Sequence, residues 1–144
     1  MKILITSIVD LKKSQHNRPH QFVRYLSKKH EVTVLSINDW WKGGQDDLES
    51  YSSEFDDVFK RIDYFYLTEK KVSPILQELL FRKKVKEVLK EEDFDVHLNY
   101  STLISGYIAA KRIKTVYDMA DDLGAMIRES PQIPRLLRPF GGVL

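Results

Sequence analysis

The sequence predicts an α/β fold, an open parallel sheet with helices on both faces. Three observations carry that expectation. Apolar runs of strand length recur along the chain, and segments with helical spacing separate them. The first run, Ile3 to Val9, is apolar at consecutive rather than alternate positions, the mark of a strand covered on both faces. Strands alternating with helices in this way argue a parallel sheet rather than a meander.

Element by element, Ile3 to Val9 is the first strand. Asn17 is placed to cap a helix, and Pro19 is tolerated in its first turn. Phe22, Val23 and Leu26 repeat at helical spacing, and Lys28, Lys29 and His30 follow where cations favour a helix end. Glu31 to Ile37 is the second strand, which completes a βαβ unit. Asn38 to Asp57 is polar and irregular, headed by Trp40, Trp41, Gly43 and Gly44, and reads as an excursion from the strand end. Lys60 to Thr68 is the third strand, with Ile62, Tyr64 and Tyr66 alternating against Asp63, Phe65 and Leu67.

Pro74 opens a long helix that runs to about Glu91. Its expected apolar stripe is Leu76, Leu79, Leu80, Val85, Val88 and Leu89, with Arg82, Lys83, Lys86 and Lys90 on the outer side. Phe94 to Tyr100 is the fourth strand. Ser101 caps a helix reaching Arg112, and Lys114 to Met119 is the fifth strand.

Length and composition narrow the function classes. A chain of 144 residues fits one domain and one core. Its 23 basic and 21 acidic side chains leave a net charge of +2, too balanced for a nucleic-acid binder. Without cysteine there is neither a disulfide framework nor a thiol nucleophile. The first apolar run stops at Asp10, too short for a secretory signal or for a span of roughly 20 apolar residues. The expected location is the cytoplasm; contact between the basic helix face and an anionic membrane surface is the alternative to a simply solvated face. The apolar ending "RPFGGVL" suggests a cut inside a longer protein.

Ligands of open α/β sheets bind at the carboxyl ends of the strands, so the site is expected there. The first loop contains no glycine, which excludes a dinucleotide fingerprint and a P-loop. It leaves a helix start with Asn17, Arg18 and His20, suited to a phosphate, carboxylate or sugar, or simply a capped and solvated turn. His16 and His20 lie four apart, but Pro19 between them and the lack of a third ligand argue against zinc. His97 falls inside the fourth strand and reads as a hydrogen-bonded core or edge histidine. Trp40 and Trp41 either stack on a ligand or cover the sheet. In "KTVYDMADDL", one of Asp121 and Asp122 is explained as a helix cap. Asp118 is not, because it ends an apolar strand, and nothing makes the three carboxylates converge on a metal.

Two stretches together resemble a known family. "HNRPHQFVRYLSKKHEVTVLS" is similar to the first βαβ element of the retaining, two-domain GT-B glycosyltransferases of the group 1, or family 4, type. "TVYDMADDL" resembles a segment late in their N-terminal domain, and "FDVHLNYSTLISGYIAAKR" fits the strand and helix between. The resemblance implies a Rossmann-like N-terminal, acceptor-side domain, incomplete without a C-terminal domain. It implies an enzyme that moves a sugar from a nucleotide-diphosphate sugar to a carbohydrate or lipid-linked acceptor, without a cofactor or metal. By position it assigns Asp118 a catalytic role and gives Asn17, Arg18, His20, Asn99, Ser101 and Asp122 to donor or acceptor binding. The missing paired glycines of the first loop are a departure, for which Arg18 would substitute by charge. A sugar-nucleotide epimerase of the same architecture and a stand-alone flavodoxin-like binding or signalling module are the rival readings.

Overall fold

The computed structural model describes residues 1–9, 11, 17–36, 56–60, 63–66, 74–100, 102 and 108–118, with positions 125, 128, 129, 131, 135 and 136. Among these residues, five parallel strands form one sheet in the order β3-β2-β1-β4-β5. They are β1 (Lys2–Ser7), β2 (Glu31–Ser36), β3 (Asp63–Tyr66), β4 (Val96–Tyr100) and β5 (Lys114–Asp118). Among the described residues, the helices whose bounds are defined are α1 (Arg18–Leu26), the single turn α2 (Asp56–Phe59) and α3 (Pro74–Glu91), and positions 108–110 of the expected helix from Ser101 to Arg112 are also helical. This is a Rossmann-like α/β fold, and each strand end lies within three residues of its expected bound.

Strand parity divides the core into two layers. On one face Ile3, Ile5, Val32 and Val34 pack with Val23 of α1 and Val58 of α2, and Leu26 and Leu98 close the edges. On the other, Leu4 and Leu35 meet Phe81, Val85 and Val88 of α3, together with Ala109. β1 is buried from Ile3 to Ser7 because it has a strand on each side and a helix layer on each face. Val58, just past the end of the expected polar excursion, is buried in this layer.

The apolar stripe of α3 needs correction. Leu76 and Leu79 are 46% and 51% exposed, whereas Gln77, Phe81, Val85 and Val88 are buried. The buried face follows positions 77, 81, 85 and 88, a helical repeat that contains one polar residue. Arg82, Lys83, Lys86 and Lys90 are exposed, as the sequence implied. Among the described residues, no helix is long and apolar enough to cross a membrane.

Candidate functional site

In this strand order the chain reverses its direction of growth between β1 and β4, and the crevice at their carboxyl ends is the place a ligand enters such a sheet. The β1 side of that crevice is held by side chains. Ser7 Oγ donates to the Val9 carbonyl at 2.8 Å and accepts from the Val9 N–H at 3.1 Å. Ser36 Oγ, at the end of β2, also donates to the Val9 carbonyl at 2.8 Å and accepts from the Leu11 N–H at 3.2 Å. The Ile8 N–H donates to the Tyr100 carbonyl at 3.1 Å, tying β1 to the end of β4.

α1 begins where the sequence put it, with Asn17 as the N-cap in an extended conformation and Pro19 in the first turn. The buried His20 fixes this start. Its Nε2 lies 2.9 Å from the Leu11 carbonyl, which can only accept, so Nε2 carries the proton. Its Nδ1 then accepts from the Asn17 N–H at 3.2 Å; Asn17 Oδ1 lies 2.7 Å from the same bare nitrogen, a contact that becomes a hydrogen bond only with the side-chain amide turned over to present its N–H. One imidazole thereby joins the two ends of the connection between β1 and α1. The described N–H groups of this connection (those of Ile8, Val9, Leu11 and Asn17) are all spent within the protein. A phosphate cradle instead needs such groups turned outward.

Arg18 is the first residue of α1, and its Nη1 lies 3.0 Å from Asp118 Oδ1 at the end of β5. The arginine side chain is 57% exposed and the carboxylate 20%. Parity puts Asp118 on the sheet face that α1 covers, so the guanidinium reaches past the end of β4 to meet it. Two residues a hundred positions apart, both expected at the site, are thus paired at the mouth of the crevice.

Behind the mouth, on the face covered by α3, lies a buried polar network. His97, Asn99 and Thr6 are buried at adjacent positions of β4 and β1. Thr115 Oγ1 donates to the Ile113 carbonyl at 3.1 Å, so its oxygen can accept from His97 Nδ1–H, also at 3.1 Å. His97 Nε2 is then bare and accepts from the Thr6 hydroxyl at 2.8 Å. That hydroxyl has one proton, and Asn99 Oδ1, at 3.1 Å, is its other acceptor. Asn99 Nδ2 donates to the Thr102 carbonyl at 2.8 Å, while its Oδ1 accepts from the Thr102 N–H at 3.1 Å and from the Thr102 hydroxyl. Burial pushes the His97 imidazole down from 6.5 to about 4, as expected for a charge with no water to solvate it.

The expected site residues therefore divide. Arg18 and Asp118 meet at the crevice mouth. Asn17 and His20 are joined to each other and to Leu11, with His20 buried. Asn99 is buried with its amide turned to Thr6 and Thr102. Ser101 and Asp122 lie outside the described residues, as do His16, Trp40, Trp41 and Asp121. Thr6, Ser36, Thr102 and Thr115 were not singled out from the sequence, although the first two and Thr115 are hydroxyls within strands and Thr102 lies two residues past β4. Among the described residues, no three His, Asp or Glu side chains are grouped so as to hold a metal ion.

No protein-family model matches the chain, and no curated protein matches it either. Among solved structures, it is similar to two of the C-terminal domain of a hydrogenase from Pyrococcus furiosus. One has a TM-score of 0.54 at 12% identity, covering 81% of this chain and 90% of that one. The other has a TM-score of 0.50 at 13% identity, covering 82% and 90%. A transferase (ugt) from Siraitia grosvenorii in complex with UDP has a TM-score of 0.48 at 14% identity, covering 87% of this chain and 29% of that one. Likeness at these identities is a likeness of fold.

Proposed function

We propose that the chain is the acceptor-side domain of a two-domain, retaining glycosyltransferase, with a second domain supplying the main grip on a nucleotide-diphosphate sugar. The observation that carries this reading is the approach of Arg18 to Asp118 across the carboxyl edge of the sheet. These are the residues that the family resemblance assigns to the first and the late loop. A cation and a carboxylate at that edge are the two charges the chemistry requires. Transfer breaks the bond between the anomeric carbon and the diphosphate and forms one from that carbon to an acceptor oxygen, whose proton leaves with the diphosphate. Asp118 accepts a hydrogen bond from the acceptor hydroxyl and orients it, and Arg18 offsets charge on the departing phosphate.

The test is release of nucleoside diphosphate from UDP-, GDP-, ADP- and dTDP-sugars by the natural full-length protein supplied with carbohydrate and lipid-linked acceptors. Turnover is expected with one donor class, and Asp118→Ala, which removes the accepting oxygens that orient the acceptor, is expected to lower kcat about 100-fold. No turnover with any donor sinks the reading, and an unchanged kcat in the variant removes Asp118 from it.

A further inference from the structure

We propose that Asp118 is an internal stand-in for a ligand phosphate: a diphosphate-bearing molecule entering between β1 and β4 displaces its carboxylate from Arg18 and takes its place on the guanidinium. This deepens the transferase reading, on which it rests for the choice of ligand. The argument starts from the strand order, which puts the growth reversal between β1 and β4. The ion pair joins an element that leaves β1 to the end of the strand beyond β4, so it lies across the entrance rather than beside it. The described N–H groups on the β1 side are not open to an anion, since those of Ile8, Val9, Leu11 and Asn17 are already bonded to Tyr100, Ser7, Ser36 and His20. Among the described residues of this connection, Arg18 is the cation at the entrance, and a planar guanidinium accepts a carboxylate or a phosphate in the same fork.

The two partners are unequally held. Asp118 is the less exposed of the two and is anchored in a strand, while Arg18 is largely exposed. The helix start that carries Arg18 is fixed through His20 to Leu11 and Asn17. Exchange is therefore a rotation of one side chain and needs no movement of α1. A diphosphate carries more charge than a single carboxylate and is favoured on the guanidinium once it is close.

The experiment is titration of the full-length protein with inorganic pyrophosphate at low ionic strength, for wild type, Asp118→Asn, Arg18→Gln and the double variant. Glu129→Gln, an exposed position, controls for net charge. Removing a competing carboxylate of this exposure is expected to tighten binding about two- to five-fold in Asp118→Asn. Arg18→Gln is expected to weaken it about tenfold, and the double variant to match Arg18→Gln, since Asp118 has nothing to compete for once Arg18 is gone. Weaker or unchanged binding by Asp118→Asn overturns the proposal. So does an equal gain in Glu129→Gln, a gain that persists without Arg18, or no saturable binding by any of the proteins. Thermal melts confirm that each variant is folded. Exchange without sugar transfer would keep this inference and cost the transferase reading; transfer without exchange would do the reverse.

Discussion

At the scale of single residues, the buried polar network is where sequence and structure instruct each other most. Asn99 stands at a strand end, the position from which a ligand contact is expected, yet it shares its sheet face with His97, two residues before it. Both are turned under the α3 layer, and the network absorbs them. The signal was present as a polar position in each of three neighbouring strands, Thr6, His97 and Thr115, but it becomes visible only once the register aligns them. Two predictions belong here. His97 titrates near 4 when folded and near 6.5 when unfolded, so the unfolded chain binds the extra proton first. Its neutral burial is therefore without cost above pH 6.5, and stability falls as the pH drops from 6.5 towards 4, by about 3 kcal/mol in all. Chemical denaturation across that range should show this slope in wild type and lose it in His97→Gln; equal slopes would contradict the assignment. Thr6→Val keeps the shape but leaves His97 Nε2 without its donor, and is expected to cost about 1–3 kcal/mol at neutral pH in the same measurement.

At the scale of elements, the strands were legible because apolar runs of the right length have few other uses, and α1 because its cap and proline mark its start. The face of α3 was not. Leucines at 76, 79 and 80 invite a stripe through them, but the helix is turned so that Phe81 enters the core. Burying one phenylalanine removes more apolar area from water than burying one leucine, and the rotation that does so brings Gln77 inside as well. Phe81→Ala is expected to cost about 3–5 kcal/mol. Leu79→Ala, at a half-exposed position, should stay within about 0.5 kcal/mol. Urea denaturation of the two variants separates the observed rotation from the expected one, which requires the larger loss at Leu79.

At the scale of the whole molecule, what the sequence could not express is strand order, and the candidate site depends on it. Arg18 and Asp118 were each recognisable as edge residues, but nothing local says that β5 lies beside β4 and β4 beside β1. Only that order lets the start of the first helix meet the end of the last strand. The same order sets a gradient of protection through the sheet. β1 is bonded on both sides and buried from Ile3 to Ser7, so its amides open only when the sheet comes apart. Among the described strands, β5 pairs with β4 alone, and Val116 and Tyr117 are largely exposed, so its amides open by local release of an edge. Native-state hydrogen exchange should therefore find Ile3 to Thr6 exchanging near the global unfolding free energy and Thr115 to Asp118 well below it. Because Asp118 carries one half of the ion pair, Arg18→Gln should speed exchange at β5 and leave β1 unchanged. Equal protection of β1 and β5 would contradict the strand order. An effect of Arg18→Gln that spreads evenly over the sheet would mean that the bridge supports the fold as a whole and not the edge at which a ligand would enter.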